Sequence, residues 1–65
     1  MRTNLCNARK AKGMTQREMS KVLGISEVYY RKIEAGDREG RGKLWDNLEA
    51  LFDYEIQQRE LRINE

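Results

Sequence analysis

The chain of 65 residues contains no histidine and no proline, a single cysteine (Cys6), and only short apolar runs. Without histidine, Ser-His and Cys-His catalytic arrangements and His/Cys zinc clusters are excluded, and one cysteine cannot form an internal disulfide. Without proline, helix boundaries must be written by glycine and by capping residues. No segment approaches the roughly eighteen apolar residues that a membrane-spanning helix needs. The opening Met1-Arg2-Thr3-Asn4 leads into polar sequence with no signal-like apolar stretch, so a reduced, cytoplasmic protein is expected. A chain of this length makes one small domain, 1–65, with little room for a deep cleft. The expectation is therefore a binding domain and not an enzyme, with no cofactor, metal, membrane or small-molecule ligand.

What is present is charge, and it is unevenly placed. Residues 1–45 carry eleven Lys/Arg against five Asp/Glu, a net of +6, whereas residues 46–65 carry two against six, a net of −4. A basic front suits a polyanion and leaves the acidic tail free for another task, although a solvated surface of mixed charge would look the same.

The punctuation of the chain predicts four or five short helices and no sheet. Thr3 is placed to cap a first helix running to about Lys12, with Leu5 and Ala8 inward and Gly13 closing it. Thr15-Gln16-Arg17-Glu18 fits a capping box, in which the Thr hydroxyl takes the amide three residues on and the Glu reaches back. The helix that follows runs to Leu23, with Met19, Val22 and Leu23 at i, i+3 and i+4, and Gly24 ends it. Ser26 caps a third helix, Glu27 to Ala35, closed by Gly36. Two helices of about nine residues joined by Leu23-Gly24-Ile25-Ser26 have the form of a helix-turn-helix over about 15–35. A charged loop, Asp37–Gly42, precedes a fourth helix at about Lys43–Phe52, where Leu44, Leu48, Leu51 and Phe52 form a stripe with Trp45 at its edge. In the tail, 53–65, the spacings Tyr54–Leu61 and Ile56–Ile63 fit a fifth helix, while Leu61-Arg62-Ile63-Asn64 alternates like a strand.

The third helix has two unlike sides. Tyr30, Ile33 and Glu34 cluster on one, and Val28, Arg31, Lys32 and Ala35 on the other, with Glu27 in the first turn. The second side suits a helix laid in a DNA major groove. Val28 then meets a thymine methyl, or is simply an exposed valine. Glu27 either accepts from a cytosine amino group or sits as a first-turn acid on the helix dipole. Arg31 and Lys32 reach guanine or phosphate, or belong to a solvated face. Arg9 shares the inner side of helix one with Leu5, and Glu34 faces the core. Two inward opposite charges require each other, which gives the pair a structural role. Cys6 falls one position off the inner face and reads as a small, partly exposed residue.

Taken jointly, Arg9-x-x-x-Gly13-Met14-Thr15-Gln16-x-x-Met19, Leu23-Gly24-Ile25-Ser26 and Tyr30-x-x-Ile33-Glu34-x-Gly36 resemble the Xre/Cro-CI helix-turn-helix family. That family includes the lambdoid-type phage repressors and their bacterial and plasmid relatives. The resemblance is close over 5–38 and looser to about 56. It implies an all-α fold, a compact lambda-repressor-like bundle of four to five short helices, with the Arg9–Glu34 positions paired. By the same resemblance Ser26, Glu27, Val28 and Lys32 stand where bases are touched, and Arg31 projects with them. Gln16 matches a phosphate-holding glutamine that braces the recognition helix, with Arg17 beside it. Tyr29 presents its hydroxyl to the DNA backbone, and Arg38, Arg41 and Lys43 grip phosphates from the next loop, or serve only its solubility.

Departures from the family pattern carry their own expectations. Gly40 replaces a common proline, which predicts a looser loop. Asp53-Tyr54 replaces a glycine and a small apolar residue, which leaves the tail packing open. Trp45 fills a leucine-like core position or a dimer interface, and Ile56, Leu61 and Ile63 either join that interface or pack as an ordinary fifth helix. The leading expectation is a sequence-specific transcriptional regulator of double-stranded DNA. It would be a repressor binding a palindromic operator as a homodimer, since one short helix reads only a few base pairs. The alternative is an interaction module on the same fold, an antitoxin or antirepressor whose acidic tail wraps a basic partner. An enzyme comes third, because carboxylates such as Asp46 and Glu49 sit on an exposed face without a pocket.

Overall fold

A computed structural model describes residues Met1–Glu65, and it contains five helices and no strand. They are α1 (Thr3–Ala11), α2 (Gln16–Leu23), α3 (Glu27–Ala35), α4 (Gly42–Leu51) and α5 (Gln58–Leu61). None is long and apolar enough to cross a membrane.

The local chemistry of α2 and α3 is complete. Thr15 Oγ1 accepts from the Glu18 amide at 3.1 Å and the Glu18 carboxylate accepts from the Thr15 amide at 2.9 Å, so both arms of the capping box form. Gly24 ends α2 at φ +71, a left-handed turn that an L side chain would strain. Two residues later Ser26 Oγ accepts from the Tyr29 amide at 3.1 Å and starts α3. A turn this short packs α2 directly on α3 and sets the angle at which α3 is presented.

The core gathers Leu5, Met19, Tyr30, Ile33, Trp45, Leu48 and Leu61, all fully buried, with Ala8, Leu44 and Phe52 around them. Each large apolar side chain removed from water in this way contributes about 1.5–3 kcal/mol. Several positions differ from the sequence-based expectation. Thr3 is the first residue of α1 and not its cap, because Arg2 holds the cap position, with no side-chain bond to the helix. The Arg2 amide instead donates to Glu34 O at 2.8 Å, tying α1 to the end of α3. Val22 is 59% exposed and so leaves the core to Met19 and Leu23. Cys6 is buried beside Arg9, not partly exposed, since the inward guanidinium occupies the adjacent space.

For Trp45 and Leu61 the core-packing reading holds, and the interface reading is corrected. Both have no exposed surface, so neither can meet a second copy while the domain is folded. Trp45 stands at the centre of the core and not at the edge of a stripe. The tail is neither a long fifth helix nor a strand. Asp53 and Tyr54 take φ 55 and φ 59 in succession, which reverses the chain after α4 and leaves only one turn of helix at 58–61. A left-handed residue stands where the resemblance has glycine; aspartate tolerates that conformation, and tyrosine less so. The Gln58 amide then donates to Glu49 Oε2 at 2.9 Å, which docks α5 on α4.

Candidate nucleic-acid interface

Because α3 is amphipathic and its apolar side is held by Tyr30 and Ile33, its other side must face outward. Val28, at 64% exposure, lies on that arc with Arg31, Lys32 and Ala35, and Ser26 and Glu27 stand at its N-terminal end. The base-reading candidates Ser26, Glu27, Val28, Arg31 and Lys32 are thereby brought to one surface. Glu27 and Arg31 are paired with each other, Arg31 Nε donating to Glu27 Oε2 at 3.0 Å.

The phosphate candidates divide into two groups around that surface. Gln16, half-buried at the start of α2, donates from Nε2 to Glu34 Oε1 at 3.3 Å, and Arg17 beside it is exposed. On the other flank, Tyr29, Arg38, Arg41 and Lys43 line an open groove of about 670 Å³ between the α2–α3 turn and the segment leading into α4. Leu23, Ile25 and Leu44 give it an apolar floor, and Gly40, Asn47 and the one acid, Glu39, complete the wall. Its cations, aromatic hydroxyl and amide suit a phosphodiester backbone, whose contacts fix register.

The loop that carries these cations is tightly held, against the expectation drawn from Gly40. At φ +75, Gly40 lies so close to the core that a Cβ there would stand 2.9 Å from Trp45 Nε1 and 3.1 Å from Ile33 Cδ1. The Trp45 indole donates to Glu39 O at 2.9 Å. Arg2 Nη1 donates to Arg38 O at 2.7 Å and to Ile33 O at 2.6 Å, and Arg2 Nε donates to Arg62 O at 3.1 Å. Arg2 is almost fully buried, with Cζ 5.2 Å from the centre of the Trp45 ring. Its guanidinium gives Ile33 O, near the end of α3, a second donor beside the Gly36 amide at 3.1 Å, and ties the carbonyls of Arg38 and Arg62 to the same point. Sequence reasoning missed Arg2 and Asn47. Arg2 bonds partners up to sixty positions away, which leave no local pattern beyond a cation close to the start of an inward-facing helix, and nothing in the sequence sets the exposed Asn47 apart.

Beneath the surface, Arg9 Nε meets Glu34 Oε2 at 2.9 Å and Arg9 Nη2 meets Glu34 Oε1 at 3.0 Å, a two-pronged buried pair. Arg9 Nη1 also donates to Met14 O at 2.7 Å. Burial pushes the Glu34 carboxyl upward, but the Arg9 hydrogen bonds and charge outweigh it and hold the group below its ordinary 4.5. The buried Tyr30 hydroxyl lies near this carboxylate without a partner at bonding geometry, so we assign the lowering to Arg9. Burial first, and then the Glu34 charge, raise the Tyr30 phenol far above its usual range.

A pH dependence follows from Glu34. A carboxyl lowered in the folded state contributes stability that is present above its unfolded value and lost as pH falls through the folded one. Urea midpoints measured from pH 7 downward should hold until near 4.5 and then drop, with a shallower drop in Glu34→Gln. An equally steep drop in that variant would place the acid sensitivity elsewhere, with Glu18, lowered by its bonds to Thr15, as the remaining source.

The family model described as Helix-turn-helix matches residues 7–61 of this chain. No curated protein and no solved structure gives a significant match.

Proposed function

Because the chain belongs to the Xre/Cro-CI type of helix-turn-helix, a non-catalytic DNA-binding family, we propose that it is a sequence-specific repressor. It binds a palindromic operator as a homodimer, in the cytoplasm of a bacterial or phage-infected cell. The observation that carries this reading is Val28. An apolar residue exposed at 64% in the middle of a cationic arc has no packing partner in the protein, and a thymine methyl in the major groove is one. Ser26, Glu27, Arg31 and Lys32 surround it as the other base-facing groups. Gln16, Arg17, Tyr29, Arg38, Arg41 and Lys43 grip the flanking phosphates.

Dimensions favour two copies. The Cα trace spans 25 × 22 × 21 Å. Half-sites one helical turn apart place two such bodies about 34 Å centre to centre, which leaves roughly 10 Å, the depth of two side-chain layers, between them. Half-buried Ile56, Tyr54 at 69% and Ile63 at 47% exposure are apolar groups of the tail that could fill that gap, and Met1 and Val22 are the others exposed away from α3. The tail is folded down with Leu61 in the core, so it offers no extended acidic arm and lends nothing to a partner-wrapping role.

Selection of binding sites from random duplex DNA at two salt concentrations tests the proposal. The expected product is an inverted repeat whose preference for one T·A pair falls in Val28→Ala, while Lys32→Ala weakens binding and changes its salt dependence or one base preference. Binding that falls steeply with salt yet enriches no sequence would reduce α3 to a phosphate-binding surface.

A further inference from the structure

Glu27 and Arg31 stand one helical turn apart on the exposed arc of α3, with the carboxylate N-terminal to the cation, the favourable order for such a pair. Arg31 Nε and Nη2 both donate to the same oxygen, Glu27 Oε2. The Arg31 side chain is 61% exposed and that of Glu27 34%. A pair this open adds little to folding, so its consequence is geometric. A long side chain that would otherwise sample many rotamers, and reach phosphates as readily as bases, is held along the groove-facing side of the helix. Glu27 is not needed as a helix cap, since Ser26 Oγ already takes the Tyr29 amide. The carboxylate also cancels the guanidinium charge, which weakens the pull toward phosphate without removing the N–H donors. Nη1 and the outer edge of the guanidinium stay free, and that planar fork matches O6 and N7 of guanine.

From this geometry we infer that Glu27 and Arg31 form one reading unit. Arg31 donates to O6 and N7 of a guanine, and Glu27 is its positioning residue, acting through Arg31 and not on a base of its own. The inference rests on the reading of α3 as the major-groove helix.

The test compares the wild type with Glu27→Gln, Arg31→Ala, Arg31→Lys and the double variant Glu27→Gln/Arg31→Ala. Each is put through site selection and then titrated against duplexes that differ at single base pairs. Arg31 is exposed and Glu27 half-buried, and thermal melting checks that each variant stays folded. Arg31→Ala should lower the preference for one guanine by about tenfold or more. Glu27→Gln should weaken the preference at that same base pair and at no other, and the double variant should be no worse than Arg31→Ala. Arg31→Lys keeps the charge without the fork, so it should retain the salt dependence and lose most of the guanine preference. A Glu27→Gln effect at a different base pair, additive losses in the double variant, or no change at all in Glu27→Gln would overturn the unit. A guanine preference that survives Arg31→Ala would overturn it as well. A wild type that enriches no sequence would fail differently, taking the major-groove reading down together with the unit.

Discussion

Arg9→Ala should remove roughly half of the protein's folding stability at 25 °C. The substitution strands the Glu34 carboxylate in a site 3% exposed, with Gln16 Nε2 at 3.3 Å as the one remaining side-chain donor at bonding distance. Breaking a buried pair from one side costs about 3–5 kcal/mol. A domain of this size has roughly 3–10 kcal/mol in total. Glu34→Ala should cost less, because Arg9 lies nearer the surface and keeps Met14 O as an acceptor. The double change Arg9→Met/Glu34→Leu should recover much of the loss, since well-packed apolar groups can replace a buried pair without leaving a charge behind. Urea denaturation followed by circular dichroism checks all three. A loss below about 1 kcal/mol in Arg9→Ala would mean that water reaches Glu34 and that the pair behaves as a surface one.

Trp45→Ala should cost a similar amount, about 3–5 kcal/mol, the usual range for emptying the site of a buried tryptophan. The ring is also the post on which the α3–α4 loop is wound. Its indole N–H holds Glu39 O, Gly40 lies against its edge, and the guanidiniums of Arg2 and Arg62 lie 5.2 and 5.4 Å from its centre. Loss of the ring should therefore also loosen the segment that carries Arg38 and Arg41, and amide exchange there should speed up more than in α2. Trp45→Phe keeps most of the volume and should leave sedimentation behaviour unchanged at any protein concentration. A shift in self-association in that variant, with stability retained, would return the ring to an interface.

The parts of the fold legible in the sequence are those written over three or four residues. Thr15 and Glu18, Gly24, Ser26 and Gly36 each act on their own neighbours, so the bounds of α2 and α3 and the sidedness of α3 follow from local spacing. Arg9 and Glu34 were legible for a different reason: two inward charges of opposite sign leave few arrangements without a large desolvation cost. Arg2 was missed, and Trp45 was left between the core position it does fill and an interface, because their surroundings are assembled from distant chain segments, Arg2 from carbonyls of Ile33, Arg38 and Arg62. Gly40 looked like slack and proved to be clearance, a distinction that depends on Trp45 being behind it. The tail was hidden by Asp53 and Tyr54, whose left-handed geometry neither residue type announces.

One carboxylate, Glu34 of α3, is grasped from two other helices at once, by Arg9 of α1 and by Gln16 of α2. On the proposed reading of α3 as the recognition helix, a helix anchored in this way cannot roll about its axis to suit an imperfect site without breaking bonds in the interior. Misfit must then be absorbed by the duplex, through bending, twisting and groove width, whose cost depends on the stiffness of the steps involved. If the proposed operator reading holds, two operators offering identical base edges would be told apart by the pliability of the base pairs between them, at positions that no side chain touches.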